Sequence, residues 1–555
     1  MDIFEKDIIK ALKKEVKLKE IKLSKPKPEF GDFSFPCFVL AKELKKNPNE
    51  IAKDLANKIK PDNLITKIQA VGPYLNFFAN KGKSNEIVIN KILEEKDGYG
   101  SSKIGKGKKA LIEHTSINPN ASPHVGRSRN ALIGDAITRI IKFQGYDTEV
   151  HYWVNDVGKQ IAMLVLGCKG KKKVSFKDLL KIYIETNKKL EKNPELEKEI
   201  FELLNKLEKG DKETKNRFKE IVDTCVKGQT EILNELNIKY DAFDYESKYL
   251  WSKELPNILK KLESAGKLFK DEDDRQVLDQ SNYKLGMRTP VLVLTRADGT
   301  SLYPLRDLAY TIEKLEKGKD ENVVVLGEDQ KLYFNQVKAA LEQIGYKAPQ
   351  VVHYSFVLLK TGKMSTRKGN LVLLEDFMKE AVEKAKNEIK KRHEKTNDEN
   401  ARKIAYGAIK YSILRVSPDK NVVFDWKIAL SFEGDTGPYL QYAYARICSI
   451  LRKYGKKVGN KADLSLLKED AEAKLIKKLN DFPRIVSSST KHLTPHLIAN
   501  YLYELSQSFS EFYHSCPVLQ AEEELKKARL LLVSCVKQVL KNGLNLLGIE
   551  VLEKM

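Results

Sequence analysis

The stretch KALIEHTSINPNASPHVGRSRNALIGDAITRIIKF, Lys109 to Phe143, joins a hydrophobic run, a polar loop and a long amphipathic pattern. In its second half, apolar residues recur at three- and four-residue spacing, which predicts a helix with one inner face. The run before the loop predicts a strand, and TEVHYWVND, which follows the helix, predicts another. Strand, helix and strand in this order favour a parallel sheet covered by helices.

Strand-like runs return after residue 285, as TPVLVLTRADG, NVVVLGED and PQVVHYSFVLL. They complete the sheet, so residues 106–165 and 285–385 are predicted to form one α/β domain with a Rossmann-like, doubly wound parallel sheet. The charged segment between them, residues 166–284, predicts a largely helical insertion on the outside of this domain.

Three further units flank this predicted domain. Residues 1–105 combine helical and strand-like patterns and predict a small N-terminal α/β domain. Residues 386–430 are interpreted as connecting helices. Leucine and isoleucine at helical spacing in residues 431–555 predict a C-terminal all-α helix bundle, an architecture common in binding modules.

The charge balance of the chain points to a polyanionic partner. Lys and Arg number 99 against 77 Asp and Glu in 555 residues, a formal net charge of +22. An excess of this size repels itself unless a polyanion is near, which favours nucleic acid. The alternative is a proteome in which lysine-rich surfaces are general.

Other compositional features narrow the class of protein. The six cysteines contain no CxxC pair, which argues against a zinc site or a disulfide framework, so they are interpreted mainly as core residues. No apolar run is long enough to span a membrane. The charged amphipathic start is unlike a signal peptide, so we expect a cytoplasmic protein with no membrane contact.

The segment PHVGRSRN, Pro123 to Asn130, carries the first chemical signal. A loop that enters a helix after a parallel strand offers free backbone N–H groups and the positive end of the helix dipole, which suit a phosphate. Gly126 lets a nucleotide approach the backbone, and His124 can donate a hydrogen bond to a phosphate oxygen. His-x-Gly alone is weak evidence, and a chance pair at a helix cap is the alternative.

The segment LLKTGKMSTRKGNLVLL, Leu358 to Leu374, carries the second signal. Its lysines and glycines predict a basic loop between two apolar strands that can close over a polyphosphate. An exposed hairpin with solubilising lysines is the alternative. The sequence has no Walker A motif and no G-x-G-x-x-G after a strand, so phosphate would be bound by another device.

Together the two segments resemble the signatures of class I aminoacyl-tRNA synthetases. The chain is more specifically similar to the arginyl-tRNA synthetase family in a series of blocks that occur in the family's order: EFGDFSFPC, GPYLNF, IEHTSINPNASPHVGRSRNALIGD, HYWVNDVGKQIA, DGTSLYPLRDLAYTIEK, VLGEDQKLYFNQV, KMSTRKG, EGDTGPYLQYAYARICSILRK and VLKNGLNLLGIEVLEKM. The resemblance covers nearly the whole chain and is weakest in the helical insertion.

The resemblance implies that arginine reacts with ATP to form arginyl-adenylate, and that Mg²⁺ enters with ATP as part of the substrate. It also implies that the arginyl group then passes to the 3′ end of tRNA(Arg). It implies no permanent cofactor or bound metal, and a monomer. It also implies a tRNA-elbow role for the N-terminal domain and an anticodon role for the C-terminal one.

The resemblance also assigns residues. Catalytic roles fall on His124, Gly126, Arg127, Lys363 and Lys368. ATP binding falls on Pro123, His124, Gly126, Lys363, Met364 and Ser365. Arginine binding falls on Glu113, Asn118, Tyr303, Asp307 and Gln330. Contacts with tRNA fall on Phe33, Tyr74, Asn76, Tyr439, Tyr442 and Arg446.

The chain departs from the family signatures at two positions. Arg127 stands where the family has a second histidine, and Thr366 stands where it has a second lysine. Guanidinium keeps its charge and can neutralise phosphate, so we interpret Arg127 as a working substitution, and either Arg367 or Lys368 as the replacement for the lysine. Two other functions stay open: a small-molecule adenylyltransferase, or a non-catalytic tRNA-binding paralogue. A purely structural salt bridge of Glu113 or Asp307, for example with Arg306 or Arg129, is also open.

Overall fold

The computed structural model describes residues 3–18, 20–171, 173–317, 319–359, 372–391 and 397–555. Its N-terminal unit is built from α1 (Ile3–Glu15), β1 (Phe33–Pro36), α2 (Phe38–Leu44), α3 (Pro48–Lys58), β2 (Ile65–Val71), β3 (Tyr74–Ala79) and α4 (Lys81–Glu95). The strands form an antiparallel sheet in the order β1-β3-β2. Phe35, Leu75 and Phe77 are buried between this sheet and the helices.

The next segment begins the central domain. Its elements are β4 (Lys109–Glu113), α5 (Val125–Phe143), β5 (Asp147–Val154), α6 (Lys159–Gly167), α7 (Phe176–Lys192), α8 (Leu196–Glu208), α9 (Lys212–Glu235) and β6 (Ala242–Tyr245). The domain continues with α10 (Ser247–Leu250), α11 (Glu254–Ser264), β7 (Leu268–Lys270), β8 (Gln276–Asp279), β9 (Val291–Val293), α12 (Tyr303–Glu316), β10 (Glu321–Gly327), α13 (Lys331–Gln343), β11 (Gln350–Tyr354) and β12 (Val357–Leu359).

Five of these strands form the central sheet in the order β11-β10-β4-β5-β6, and every neighbouring pair is parallel. The chain builds outward from β4 on one side and returns to its other side with β10. Ligands of doubly wound sheets bind outside the carboxyl ends of the strands at such a switch point. The predicted Rossmann-like fold is confirmed, and the switch point lies beside the end of β4.

Two strands differ from the sequence-based layout. The run that contains β9 was predicted to join the central sheet, which is wrong: β9 pairs with β8 in a separate antiparallel sheet with β7. Conversely, β6 lies inside residues 166–284, yet it pairs with β5 at the edge of the central sheet. A short apolar run does not reveal which partner strand it will meet, because that depends on distant residues.

The C-terminal part contains α14 (Leu374–Lys390), α15 (Asp398–Leu414), β13 (Val422–Phe424), α16 (Trp426–Ala429), α17 (Gly437–Tyr454), α18 (Asp470–His492), α19 (His496–Ser515) and α20 (Glu523–Leu546). It is helical apart from β13, which pairs with β12. One hydrophobic core runs from α5 through α15 into α18, α19 and α20. The helix bundle is therefore packed directly on the helix that follows β4.

Two general properties agree with the sequence. All six cysteines are buried as free thiols, which confirms their interpretation as core residues. None of the described helices is both long enough and apolar enough to cross a membrane.

Replacing Gly437 with alanine is expected to destabilise the protein, because a Cβ there would lie 2.5 Å from the backbone oxygen of Gly407. Relieving this overlap would push α17 away from α15, at a cost of about 1–3 kcal/mol. Thermal unfolding should show a lower Tm for this variant. Gly459→Ala is the matched control, since a Cβ there meets nothing closer than 3.9 Å. An equal Tm for both variants would contradict the packing described for α15 and α17.

Candidate functional site

His124 lies where the loop after β4 enters α5, as the sequence predicted. It is the N-cap residue of α5 and has extended backbone angles, but its side chain does not cap the helix. Its Nδ1 is buried and has no hydrogen-bond partner among the described residues. Burial and the charge of Arg127 lower the pKa of His124 to about 4. The imidazole is therefore neutral at pH 7 and free to bind a ligand.

The chain that follows the predicted basic loop is anchored to this histidine loop. Leu373 forms an isolated antiparallel bridge with His124. The Val125 amide donates to the Val372 carbonyl at 3.1 Å, and the Leu374 amide donates to the Pro123 carbonyl at 2.8 Å. The histidine loop and the chain that follows the predicted basic loop are thus joined here.

The residues of the predicted basic loop are not among the residues that the structure describes. Lys363, Met364, Ser365 and Lys368 lie outside the described residues, as do Arg367 and the rest of 360–371. The strand predicted after this segment is wrong, because the chain enters α14 at Leu374. Two acidic residues in the first turn of α14 favour a helix N-terminus there.

The arginines near His124 have different surroundings. Arg127 is exposed in the first turn of α5, next to the Tyr354 hydroxyl at the end of β11. Burial raises the pKa of Tyr354, and Arg127 partly offsets that rise. Arg129 is buried and donates from Nη1 to the Ser355 and Lys420 carbonyls, each at 2.7 Å. Arg127 therefore faces the site, whereas Arg129 ties α5 to β12 and β13.

Glu113 and Asp307 lie in one buried cluster beside the end of β4. Glu113 is 6% exposed and forms an ion pair with Lys314 of α12. Asp307, on the same helix, accepts a hydrogen bond from the Tyr333 hydroxyl at 2.8 Å. Burial raises the pKa of Asp307 to about 6, and the charge of Glu113 adds to the rise.

The salt bridges suggested by the sequence are wrong in their partners. Arg306 pairs with Glu246 at 2.8 Å, and Arg129 binds backbone carbonyls. Among the described residues, no cation is paired with Asp307. The carboxylate is therefore left for an external cation.

The other predicted arginine-binding residues border this cluster. Tyr303 begins α12 and is 56% exposed, with its ring 5.0 Å from that of Tyr333. Asn118 lies in the loop after β4 and donates to Gln160 at 3.1 Å. Gln330 is exposed directly before α13, the helix that carries Tyr333. The structure thus brings Glu113, Tyr303 and Asp307 together, and it places Asn118 and Gln330 on adjoining loops.

Sequence reasoning missed Lys314 and Tyr333. On α12, Tyr303, Asp307, Tyr310 and Lys314 follow one another at intervals of four, three and four residues. This spacing puts all four on one face of a helix, so the pattern could have identified Lys314. Nothing in the local sequence links Tyr333 to Asp307, since the contact joins two helices.

Two buried histidines support the sheet. His114 hydrogen-bonds Thr115 at 2.8 Å, and burial lowers its pKa to about 3. His151 lies between Asp244 and Glu149 at 2.5 and 3.0 Å. Burial lowers the pKa of His151, but these two carboxylates raise it by more. Both histidines are held by structural contacts.

The N-terminal residues predicted to contact tRNA differ in exposure. Phe33 and Asn76 are 7% and 2% exposed in the sheet of β1 and β3, and their contact with tRNA stays a prediction. Tyr74 is 41% exposed and packs edge-on against Phe38 at 6.1 Å. Alternation along β3 places Asn76 on the face of the sheet opposite Leu75 and Phe77, opposite buried Ser34 of β1.

The C-terminal candidates lie together on α17. Arg446 donates to the Tyr442 hydroxyl at 2.9 Å, and its guanidinium lies 4.8 Å from the Tyr442 ring centre and 5.5 Å from that of Tyr513. A cavity of about 850 Å³ opens here, lined in part by Tyr442, Arg446, Tyr513 and Met555. Tyr439 lies one turn earlier and packs against Tyr503 at 5.9 Å.

His492 and His496 are four residues apart in the sequence but lie in two different helices. His492 ends α18 and His496 begins α19, with Leu493 between them in a left-handed conformation at φ 52°. The two histidines therefore do not share one helix face. Within the described ranges, no three His, Cys, Asp or Glu side chains converge as they would around a metal ion.

Three family models match successive parts of the chain. The family model described as tRNA synthetases class I (R), catalytic domain, matches residues 88–426. The DALR anticodon binding domain matches residues 440–555, and the arginyl tRNA synthetase N terminal domain matches residues 2–79.

Curated relatives and solved structures agree with these models. An arginine–tRNA ligase of Methanocaldococcus jannaschii is 41% identical over 99% of both chains. One from Methanosarcina barkeri is 39% identical over 94% of this chain and 92% of its own. The arginyl-tRNA synthetase structure of Thermus thermophilus aligns over 99% of both chains with a TM-score of 0.82 at 30% identity.

Proposed function

The chain belongs to the arginyl-tRNA synthetase family, and we propose that it activates L-arginine with ATP and transfers the arginyl group to the 3′ end of tRNA(Arg). One observation carries the assignment of the site: at the switch point of the parallel sheet, a helix N-terminus suited to phosphate lies beside a pocket with an unpaired carboxylate. A carboxylate is the natural partner of the planar guanidinium group.

In the first step, a carboxylate oxygen of arginine attacks the α-phosphorus of ATP. A phosphorus–oxygen bond forms, the bond to the β-phosphate bridge breaks, and pyrophosphate leaves. His124 donates a hydrogen bond to the phosphate as charge develops, and the amides that begin α5 add the field of the helix dipole. Pro123 and Gly126 shape the loop around the nucleotide, and Lys363, Met364, Ser365 and Lys368 complete it.

Arg127 supplies a fixed positive charge near the phosphates. Its exposed position in the first turn of α5 lets the guanidinium reach a bound nucleotide. Because guanidinium stays protonated, this contribution does not vary with pH in the physiological range. Mg²⁺ enters with ATP and lowers the charge of the polyphosphate, and the chain needs no resident cofactor.

In the second step, a hydroxyl of the terminal adenosine of tRNA attacks the carbonyl carbon of arginyl-adenylate. An ester forms and AMP leaves.

The cavity on α17 binds anticodon bases, since Tyr442 and Tyr513 offer ring faces and Arg446 offers N–H donors. Tyr439 extends this surface along α17. Tyr74 is the exposed aromatic residue that contacts the tRNA elbow. We propose that the enzyme works as a monomer in the cytoplasm, where its substrates meet.

The proposal is tested by incubating the purified protein with ATP, Mg²⁺, tRNA(Arg) and radiolabelled amino acid. Label should enter acid-precipitable tRNA with arginine and stay at background with lysine. Lysine lacks the planar donors, so it leaves buried acceptors unpaired, at about 1–3 kcal/mol each. Equal incorporation of both amino acids would contradict the assigned pocket, and incorporation of neither would contradict the function.

A further inference from the structure

The buried lysine of α12 is not explained by the roles assigned so far. Lys314 is 2% exposed, and lysine is rarely buried without a partner. It lies on the same helix face as Tyr303 and Asp307, with Tyr310 between them. That face points towards the end of β4, where Lys314 meets Glu113.

Lys314 has two contacts that fix its ammonium group. It forms an ion pair with Oε2 of Glu113, which occupies one of the two carboxylate oxygens. It also lies 4.0 Å from the centre of the Tyr310 ring, whose hydroxyl donates to Asp244 at 2.8 Å. The lysine is thus held from both sides and cannot turn to solvent.

Asp307 differs from the neighbouring carboxylates in whether it has a cationic partner. The titratable and charged groups around Asp307 and its neighbours are Glu113 on β4, His151 on β5, Asp244 and Glu246 at the end of β6, Tyr249 on α10, Tyr303, Arg306, Tyr310 and Lys314 on α12, and Tyr333 on α13. Glu246 is paired with Arg306, Asp244 with His151 and Glu113 with Lys314.

Asp307 is the exception in this part of the described structure, because its partner is a hydroxyl. Asp156, further from the pocket, is held by the Ser247 amide at 2.8 Å. The pairing leaves one negative charge for one guanidinium.

We propose that Lys314 is a positioning residue for arginine recognition: it neutralises and orients Glu113, so that Asp307 carries the single net negative charge that meets the substrate guanidinium. The inference rests on the proposed function, which assigns Glu113 and Asp307 to the arginine pocket. Without the lysine, two carboxylates would compete for one proton in a poorly solvated site, and the pocket would lose an ionised acceptor.

The charges of Lys314 and Glu113 decide the direction in which the pKa of Asp307 changes when either is removed. Lys314 lowers the pKa of Asp307, and Glu113 raises it. Arginine binds to the ionised form, so the wild-type enzyme should lose arginine affinity as pH falls through about 6. Removing the lysine removes a lowering charge and leaves Glu113 uncompensated. The midpoint should therefore move to higher pH.

The test measures kcat/KM for arginine in tRNA charging between pH 5 and pH 9, together with Tm, for the wild type, Lys314→Met and Lys314→Arg. The methionine variant is expected to shift the acidic midpoint upward by about one pH unit, which lowers kcat/KM about fivefold at pH 6 and restores it towards pH 9. The arginine variant keeps the charge and should keep the wild-type midpoint.

Glu113→Gln provides a second variant with the opposite sign. It removes a charge that raises the pKa of Asp307, so its midpoint should lie below that of the wild type even though arginine binds more weakly. This variant carries the test alone if Lys314→Met does not fold. A midpoint that stays in place, or a loss of affinity that is equal at every pH, would overturn the inference. A wild-type protein that shows no charging with arginine would instead overturn the proposed function.

Discussion

Replacing Asp307 with asparagine is expected to lower kcat/KM for arginine about a hundredfold at pH 8. The change keeps the size of the side chain but removes the unpaired charge of the pocket. A hydrogen bond to a charged group is worth about 1.5–3 kcal/mol, and the upper value corresponds to about two orders of magnitude. The loss should appear mainly in KM, because guanidinium binding lies away from the reacting carboxylate.

Tyr333→Phe is the matched partner of this experiment. It leaves Asp307 in place but removes the hydroxyl that donates to it and lowers its pKa. We expect a smaller loss, about tenfold, that is greatest near pH 6 and fades at pH 8. Asp271→Asn, in the turn between β7 and β8, should behave like the wild type. An Asp307→Asn enzyme with unchanged KM would remove this residue from the arginine site.

Replacing His124 with alanine is expected to slow adenylate formation about 10²- to 10³-fold, with little change in KM for arginine. Hydrogen-bond donors aimed at developing charge have effects of this size. The side chain makes no capping bond to α5, and its Nδ1 has no partner in the described part of the chain, so the fold should tolerate the change. Pre-steady-state formation of arginyl-adenylate measures the step directly.

His124→Asn is the control, because an amide N–H can donate a hydrogen bond without titrating. It should recover part of the rate. The low pKa of His124, about 4, also predicts that the histidine contributes equally from pH 6 to pH 8. A rate in His124→Ala equal to that of the wild type would show that the α5 amides and the cations suffice.

The central part of the site could be predicted because its signals are local. The strand before Glu113, the loop around His124 and the helix after it are neighbours in sequence, and each has a periodicity that a single stretch displays. Tyr303 and Asp307 are also one turn apart on the same helix. Local spacing therefore predicted the strand end, the loop and the helix N-terminus that the structure shows around these residues.

Contacts between distant elements were beyond such reasoning. The bond from Tyr333 to Asp307 joins two helices, and the ion pair of Glu113 with Lys314 joins a strand to a helix about 200 positions later in the chain. The pairing of β9 with β8, and the burial of Phe33 and Asn76, depend on which strand lies opposite. Each of these features is decided by packing between segments rather than by the pattern within one.

The most direct test of the account is arginine-dependent exchange of pyrophosphate into ATP, measured with and without tRNA(Arg), with lysine as the control amino acid. Exchange is expected with arginine and tRNA present, and none is expected with lysine. This result would show that a signature with Arg127 in place of histidine is catalytic. Absence of exchange under every condition, while the protein still binds tRNA tightly, would contradict the claim that the two substrates react at the end of β4.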